Sequence, residues 1–361
     1  MKVTRLELEN FRNIGHAVCE PAELTVICGD NGQGKTNLLE AVWLLTGARS
    51  FRGAKDAELV RRGCEFAAIE AAAEAGGEER SIRLTVGLPG TARPGRTARL
   101  DGADQGRAAR LAGVFTAVVF APGHLSLVKG SPEGRRRFVD AALCQLYPGY
   151  LAEYRRYLRV MEQKNALLKH YARTPGADGM LEVYNDQLAE AGQAITARRQ
   201  TYLETLAPLA AANYEAISRG AERLTLEYRP SFGPEGLRAA LEAARAEERR
   251  CGFCTVGPHR EDVYISLDGQ PARSDASQGQ QRSAVLAMKL AEAACAQQIT
   301  GHHPAMLLDD VLSELDEGRQ KYLLTRMEGR QVFVTCCDPA AFGRTNGKIV
   351  QMRGGRLEER G

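Results

Sequence analysis

The chain has 361 residues, a length that predicts one large domain or two of medium size. Hydrophobic residues make up 44% and charged residues 26% of the sequence, close to the averages for globular domains, which excludes general disorder. The formal net charge of +3 is too small to make the whole surface a polycation. Any nucleic-acid contact therefore has to come from local clustering of basic residues.

The start of the chain alternates apolar and charged residues instead of forming the apolar core of an export signal. No stretch approaches the roughly 18 uninterrupted apolar residues of a membrane span. The nine cysteines are an odd number, which favours reduced thiols over bridges. We therefore expect a cytoplasmic protein without a membrane partner. The lone CxxC of Cys251 and Cys254 lacks the second pair that a structural zinc site usually needs.

The first third of the chain has the texture of strands and turns. Apolar runs of period two predict strands at Val3 to Leu8, Leu24 to Cys28, Ile82 to Val86 and Val114 to Phe120. The segment from Thr91 to Arg110 is rich in glycine and arginine, and it is most simply an exposed loop region.

The middle of the chain changes to helical spacing. Two runs place apolar residues three and four positions apart, which gives each run one seam along a helix. The runs are Leu151, Tyr154, Leu158, Met161, Asn165 and Leu168, and then Leu181, Tyr184, Leu188, Ala191 and Ile195. The link 174–179 between them is rich in breakers, so we expect an antiparallel pair of helices.

Strand texture returns after Arg250, at Val263 to Leu267, Met306 to Leu308, Val332 to Thr335 and Ile349 to Met352. A helical middle between two strand-bearing flanks predicts one α/β domain that is split in sequence by a helical insertion. We expect the α/β head to comprise residues 1–135 and 251–361, and the inserted lobe of antiparallel helices to comprise residues 136–250.

A phosphate-binding loop is the most specific motif of the sequence. The pattern GxxxxGK[ST] follows an apolar strand that ends at Cys28 and precedes a helical run from Thr36 to Leu45. Its glycines let backbone N–H groups face phosphates, and the helix N-terminus adds partial positive charge. Lys35 should reach the β- and γ-phosphates, and the Thr36 hydroxyl should ligate magnesium. The motif is Gly29, Asp30, Asn31, Gly32, Gln33, Gly34, Lys35 and Thr36.

Two acids follow a later apolar run, and a magnesium site needs such a carboxylate at the end of a neighbouring strand. Asp309 comes directly after Met306 to Leu308 and is the expected metal partner. Asp310 points differently and is expected to orient or deprotonate the attacking water. Without the phosphate loop, the same pair of acids would be as consistent with a solvated turn.

The start of a second helix, at Ser277 to Ser283, helps to distinguish between subclasses of phosphate-loop proteins. Ser277 to Ser283 opens a clear helix with a small polar residue and a glycine before the first turn. Such a tip is either an ordinary N-cap or a second anion site. One chain does not need two γ-phosphate cradles, but in a dimer each tip could cover the nucleotide of the other copy.

Taken in order, these motifs resemble the Walker A, signature, Walker B and D-loop set of ABC-type ATPases, with Ser313 to Asp316 as the D-loop. The split head with a helical insertion is similar to the SMC-like branch. More closely still, the chain resembles the RecF family of bacterial recombination mediators. That resemblance is carried by Leu8 to Asn13, Asn37 to Ala41, Val128 to Pro132, Arg135 to Phe138, Gly257 to Arg260 and Ser277 to Arg282.

The resemblance implies an ATP-dependent homodimer on gapped or junction DNA that hydrolyses ATP slowly and helps RecO and RecR load RecA onto single-stranded DNA. It implies a weak, DNA-stimulated ATPase that uses ATP and Mg²⁺ and contacts both single- and double-stranded DNA. Carried over by position, Lys35, Asp309 and Asp310 are catalytic, and Thr36 with Asp309 holds magnesium. The remaining implied residues are Arg12 and Asn13 near the nucleotide, Ser277, Gly279 and Gln280 on the opposing nucleotide, and Ser313 and Asp316 in the D-loop.

The sequence departs from the family pattern at two loops. Pro122 to Leu125, which includes Gly123 and His124, lacks the acids of the usual Pro-Glu-Asp-Leu, so the resemblance does not extend a metal-sensing lid role to this loop. Where related heads place a switch histidine, the chain has Thr335-Cys336-Cys337-Asp338. Thr335 or Asp338 is then the expected sensor of the γ-phosphate.

Positive charge concentrates between Lys129 and Arg173, where ten Lys or Arg face four Asp or Glu. Such a cluster predicts salt-dependent DNA binding without strong sequence preference, although a solvated helix face explains it almost as well. The expected DNA contacts are Arg135, Arg136, Arg137, Arg155, Arg156 and Arg159.

Two other functions fit the ATP motifs. A transporter subunit would couple the same site to a membrane partner, but the helical insertion of roughly 110 residues and the basic cluster argue against it. A small-molecule phosphotransferase would leave the helix start at Ser277 unexplained.

Overall fold

The computed structural model describes residues 1–75, 77–91, 94–338 and 347–359. The chain divides into two units, one formed by Met1–His124 with Leu286–Gly361 and the other by Leu125–Val285. The first unit is therefore discontinuous in sequence, and the second is an insertion into it.

An antiparallel sheet of six strands forms one layer of the first unit, in the order β2-β1-β4-β5-β6-β7. Alternating burial along the first strand turns residues such as Leu6 and Leu8 inward and leaves charged neighbours outside. The strands are β1 (Lys2–Phe11), β2 (Ile14–Cys19), β4 (Phe66–Ala75), β5 (Glu78–Gly87), β6 (Gly95–Leu100) and β7 (Ala103–Arg107).

A second sheet has the order β15-β14-β3-β13-β12-β8, and all neighbours are parallel except β15 with β14. All five residues of β12 are buried, as expected for a parallel strand covered on both faces. The strands are β3 (Leu24–Cys28), β8 (Ala117–Phe120), β12 (Ala305–Asp309), β13 (Val332–Cys336), β14 (Lys348–Arg353) and β15 (Arg356–Glu359).

Helix α1 (Lys35–Leu44) packs with both sheets of this unit. It shares one hydrophobic core with Leu8 and Ile69 from the antiparallel sheet and with Phe333 from the parallel sheet. Eight of its ten residues are buried, among them Lys35 and Glu40, so the helix is covered on nearly every side. This burial fixes the position of the first helical residue, Lys35, at the end of the phosphate loop. The described residues of this unit also include helix α10 (Glu317–Thr325) and the later part of α9 (Gln278–Thr300).

The inserted unit is mainly helical, with a three-stranded antiparallel sheet of order β11-β10-β9. Two long helices, α4 and α5, pack along each other, as the two apolar runs predict. The elements are α2 (Ser126–Lys129), α3 (Pro132–Leu146), α4 (Tyr150–Lys169), α5 (Ala177–Ser218), β9 (Leu224–Arg229), α6 (Gly236–Ala243), α7 (Arg245–Cys251), β10 (Asp262–Leu267), β11 (Gln270–Pro271) and α8 (Ala272–Asp275).

The observed boundaries differ from the expected 135/136 and 250/251. Strand β10 pairs with β9 along six residues, from Asp262 with Arg229 to Leu267 with Leu224. Helix α3 contacts α5 and β10. These contacts place residues 125–135 and 251–285 with the inserted unit.

Two expectations about local structure are corrected. The expected loop region from Thr91 to Arg110 contains strands β6 and β7. Along α4, five of the six predicted seam positions are half-buried and only Leu168 is buried. The deepest face runs through Tyr150, Tyr157, Val160, Lys164 and Leu167. In the described part of the chain, no helix has the length and apolar character needed to cross a bilayer.

Candidate nucleotide-binding site

Three parallel strands end side by side at the candidate site. Strand β3 ends at Cys28, directly before the phosphate loop, and β12 ends at Asp309. Strand β13 lies between them, with Thr335 paired to both Ile27 and Asp309. The carboxyl edge of a parallel sheet is where ligands bind in α/β proteins, and here it brings together residues about 300 positions apart.

Glycines shape the phosphate loop where a side chain has no room. Gly34 has φ +115° and caps α1, and an ideal Cβ there would lie 2.7 Å from Asn13 Oδ1. Gly29 has φ +150°, and its ideal Cβ would lie 2.4 Å from the Met352 carbonyl oxygen. At its glycines the loop therefore exposes backbone without side chains, so that N–H groups and the N-terminus of α1 are available to an anion.

Lys35 is buried and bonded within the loop. Its Nζ donates to the carbonyl of Gly29 and to the carbonyl of Asp30 at 3.1 Å. Cys337 Sγ lies 3.6 Å from the same nitrogen. The ammonium group is therefore held inside the loop by weak neutral acceptors, which a phosphate can replace with stronger charge-assisted bonds.

Thr36 and Asp309 meet as the sequence predicts. The Thr36 hydroxyl donates to Asp309 Oδ1 at 2.7 Å, and the buried Thr335 hydroxyl donates to the same oxygen at 3.0 Å. A hydroxyl and a carboxylate at this distance are the oxygen donors that Mg²⁺ prefers.

Asp310 is oriented differently from Asp309. Its backbone has φ +51°, and its N–H donates to Thr335 Oγ1 at 2.9 Å. Ser313 Oγ donates to the Asp310 carbonyl at 2.9 Å and lies 3.3 Å from Asp310 Oδ1. Thr335 therefore supports both acids, by one bond to a carboxylate and one to a backbone N–H. That supporting geometry was not part of the sequence expectation.

Arg12 forms a bidentate ion pair with the buried Glu40 carboxylate. Its Nε and one terminal nitrogen each donate to Glu40 at 2.9 Å, and its other terminal nitrogen donates to the Glu58 carbonyl at 2.9 Å. Glu40 is fully buried in α1 and also accepts from Ser50. The structure therefore shows Arg12 joining the β1–β2 turn to α1.

Asn13 lies against the phosphate loop itself. Its Nδ2 donates to the Gln33 carbonyl at 3.0 Å, and the Gly354 N–H donates to Gln33 Oε1 at 2.6 Å. Beside these contacts is a recess of about 610 Å³, whose lining includes Asn13, Arg61, Gly354 and Arg356.

His124 lies in a 3₁₀ turn, Pro122–Leu125, that follows β8. Its Nδ1 accepts from the Ala121 N–H at 3.2 Å. Burial, reinforced by the Lys289 charge, lowers the pKa of His124 to about 3, so the ring is neutral at pH 7. Gly123 beside it is exposed. A neutral imidazole replaces the acids that the family pattern has in this loop.

The tip of α9 forms a reciprocal cap. The Gln280 N–H donates to Ser277 Oγ at 3.3 Å, and the Ser277 N–H donates to Gln280 Oε1 at 2.6 Å. Ser277 is exposed, while Gly279 is half-buried. The other end of the Gln280 amide donates to Glu222, which accepts from the buried Tyr214 hydroxyl at 2.6 Å. Helix α9 therefore has an ordinary N-cap, and the Ser277 residue that forms it is accessible to solvent.

The candidate D-loop precedes α10. Asp316 is the N-cap of that helix and accepts from the Arg319 N–H at 3.0 Å. This backbone hydrogen bond is the main reason that the pKa of Asp316 lies below its usual value. Ser313 contacts Asp310, as described above. The segment therefore connects the second acid to the start of α10.

Comparison with known proteins identifies the family. A family model described as the RecF/RecN/SMC N terminal domain matches residues 2–354. A DNA replication and repair protein RecF from Synechococcus sp. (strain JA-3-3Ab) is 40% identical over 98% of this chain and 96% of its own. Another RecF, from Heliobacterium modesticaldum (strain ATCC 51547 / Ice1), is 41% identical over 95% of this chain and 94% of its own. This chain belongs to the RecF family.

A solved structure of the recombination mediator protein RecF-ATP in the RecFOR pathway agrees with this membership. It is 31% identical to the present chain, covers 99% of it and 97% of its own length, and has a TM-score of 0.91. The expected RecF resemblance and the α/β head of ABC- and SMC-like ATPases are both confirmed.

The six arginines expected at DNA divide into two groups in this RecF-family chain. Arg135 is buried, with a bidentate ion pair to Asp262 at 2.7 and 2.9 Å, so it is not available to a DNA backbone and this expectation is corrected. Arg136 donates to the Glu261 carbonyl at 2.7 Å, and burial lowers its pKa.

The other four lie nearer the surface. Arg137 and Arg156 are exposed and paired with Glu133 and Glu190. Arg155 is half-buried, and Arg159 is exposed. The basic cluster has fewer exposed positive charges than its residue count suggests, because Lys164 is also fully buried in an ion pair with Glu248.

Proposed function

We propose that this RecF-family chain is an ATP-dependent DNA-binding protein of recombinational repair and replication restart. ATP binding brings two copies together head to head, and slow hydrolysis separates them. The observation that carries the proposal is the 2.7 Å contact between Thr36 and Asp309, beside a lysine already inside the phosphate loop. The RecF-ATP structure named above supports ATP as the ligand.

The residues present fit ATP with Mg²⁺. Backbone N–H groups of the loop and Lys35 would bind the β- and γ-phosphates, and Thr36 with Asp309 would hold the metal. When bound, the magnesium ion would neutralise charge on the phosphates. Asn13 contacts the loop through the Gln33 carbonyl and also lines the recess, so we assign the rest of the nucleotide to that side of the loop. Arg12 would act indirectly, by fixing the turn that presents Asn13.

Asp310 is the residue we assign to hydrolysis. Its backbone is left-handed, and its contacts with Thr335 and Ser313 hold it beside the end of β12. A carboxylate in that place can accept a proton from an attacking water. The activity expected is a weak ATPase whose main effect is to reset the dimer.

The tip of α9 is the surface we assign to the second copy. Ser277 and Gly279 would contact the γ-phosphate held by the partner, with Gln280 fixing the shape of the tip. A helix N-terminus with an accessible hydroxyl favours a phosphate oxygen. The D-loop residues Ser313 and Asp316 would lie beside the same phosphate.

Exposed arginines of the inserted unit would contact DNA. Arg137, Arg156 and Arg159 lie where they can contact DNA phosphates. Arg137 and Arg156 would each give up a weak surface ion pair to do so. Binding of this kind selects structure, such as gaps and junctions, over sequence. The ATP-bound relative belongs to the RecFOR pathway, which supports RecO and RecR as partners in loading RecA.

Nucleotide binding tests the proposal first. We expect Lys35→Ala to weaken ATP binding by about 100-fold, because a charge-assisted phosphate contact is lost. Lys55→Ala removes an exposed lysine of the same unit and should leave binding unchanged. Titration calorimetry with ATP and Mg²⁺ measures both. Equal affinities for the two variants would refute the assigned phosphate site.

DNA binding is tested by affinity for gapped and fully duplex DNA with and without ATP, across a salt series. We expect tighter binding to gapped DNA when ATP is present, and a steep loss of affinity as salt rises. Binding that ignores both ATP and the gap would contradict the proposed function.

A further inference from the structure

Two cysteines lie opposite each other at the base of the phosphate loop. Cys28 is the last residue of β3, and Cys336 is the last residue of β13. They are register partners in the parallel pair, and their Sγ atoms are 3.4 Å apart. Neighbouring strands are about 4.8 Å apart, which falls within the Cα separation that a disulfide accepts.

Both cysteines are joined through their neighbours to the nucleotide lysine. Cys28 precedes Gly29, whose carbonyl accepts from Lys35 Nζ. Cys336 precedes Cys337, whose exposed Sγ lies 3.6 Å from the same nitrogen. A change in the separation of the two strand ends would therefore move two groups that contact Lys35 Nζ, the Gly29 carbonyl and Cys337 Sγ.

We propose that Cys28 and Cys336 form an oxidation site, in which a disulfide between them weakens nucleotide binding. Two S–H bonds break and one S–S bond forms, with loss of two electrons and two protons. Hydrogen peroxide takes up these electrons and protons to become two molecules of water, and a diazene takes them up to become a hydrazine. The inference rests on the nucleotide role proposed for the loop.

The disulfide changes the loop because the sulfur atoms must approach. An S–S bond is about 2.05 Å long, so the separation of 3.4 Å has to shorten by more than an ångström. Gly29 has little room on the side of Met352, because an ideal Cβ built on it would lie 2.4 Å from the Met352 carbonyl oxygen. The shift therefore moves the Gly29 carbonyl relative to Lys35. A displacement of this size at a binding site is expected to weaken ATP binding by about tenfold.

The thiols start in the reduced, protonated state. Burial, and then the adjacent Cys28 thiol, raises the pKa of Cys336 to about 12. Oxidation should accordingly be slow at neutral pH and faster in alkaline buffer, because the thiolate is the reactive form.

The test treats the full chain with the diazene diamide and measures two quantities. Peptide mapping without reductant should find Cys28 joined to Cys336, and the ATP affinity should fall about tenfold and recover with dithiothreitol. Cys336→Ser should bind ATP like the untreated protein and should not respond to diamide. Cys336→Ala serves as a second form if the serine variant folds poorly.

Two control variants separate this site from other thiols. Cys337→Ser should keep both the disulfide and the loss of affinity, and so should Cys251→Ser, which removes an exposed cysteine of the other unit. The inference is wrong if mapping finds no Cys28–Cys336 bond, if that bond forms without a change in affinity, or if loss of affinity follows an adduct on Cys337. Failure of the reduced protein to bind ATP would instead refute the proposed function.

Discussion

The phosphate-loop site and the tip of α9 carry related motifs but differ in what their side chains contact. In the phosphate-loop site, Lys35, Thr36 and Asp309 are buried or half-buried and bonded to groups of the site itself. At the α9 tip, Ser277 is exposed and bonded to its own helix through Gln280.

The phosphate-loop site is thus assembled within one chain, whereas the α9 tip presents an exposed surface. The first site already brings together the Thr36 and Asp309 oxygens to which we assign Mg²⁺. The second has a rigid cap and an accessible hydroxyl, which is the form expected of a group that acts on another molecule. Variants at the two sites should therefore fail in different ways, and the following predictions use that distinction.

The largest effect is expected for Asp310→Asn. We expect ATP hydrolysis to fall by at least about 100-fold, because the carboxylate that accepts the proton is lost, while ATP binding is kept. The ATP-bound dimer should then persist longer, as measured by sedimentation after dilution. Asp104→Asn alters an exposed acid of the same unit and is the matched control. Unchanged hydrolysis and dimer lifetime would show that Asp310 is not the water-orienting group.

Arg12→Ala should reduce the stability of the phosphate-loop unit. It leaves the buried Glu40 carboxylate without its bidentate partner, which we expect to lower the free energy of unfolding by about 3 kcal/mol. The single tryptophan, Trp43, is buried in α1 and reports unfolding by fluorescence in urea.

The control for this measurement is Arg5→Ala, which breaks an exposed pair with Glu7 and should cost less than about 1 kcal/mol. If both variants lose the same small amount, Arg12 does not support the turn that presents Asn13.

Glu222→Ala should affect the α9 tip and spare the phosphate loop. Without Glu222, the Gln280 amide loses one of its two partners, and we expect ATP-dependent dimerisation to weaken about tenfold. ATP binding by the monomer should stay unchanged. Glu227→Ala removes an exposed acid of nearby β9 and is the control. Sedimentation with ATP measures the dimer, and an equal loss in both variants would exclude a specific role for Glu222.

The smallest effect is expected for Arg159→Ala. Removal of one phosphate contact should weaken DNA binding a few-fold and reduce the salt slope by about 1. Arg80→Ala, in an exposed pair with Asp101 in the other unit, should not change either quantity. A steeper salt slope after Arg159→Ala would contradict the assigned contact.

The candidate phosphate loop could be recognised from local sequence because its signals lie within a few residues of each other. The apolar strand β3, the glycines and the start of α1 are contiguous, and Asp309 follows a strand that is buried throughout. Parallel pairing then brings the loop and the acid together.

Other features depend on distant partners and could not be predicted locally. Strand β6 turns only Ala98 fully inward and β7 has no buried residue, so neither shows a period of two. Arg135 has the sequence character of a DNA contact, but its partner Asp262 lies 127 residues away. Likewise, nothing near Gln280 in the sequence indicates its bond to Glu222.

The central claim, that two copies share each nucleotide site, is tested most directly by mixing two inactive variants. Lys35→Ala keeps the α9 tip but loses the loop, and Ser277→Arg keeps the loop but blocks the tip. A mixed dimer contains one intact site, so an equimolar mixture should regain about a quarter of the original hydrolysis rate while each variant alone has almost none. A mixture no more active than its separate components would contradict the account.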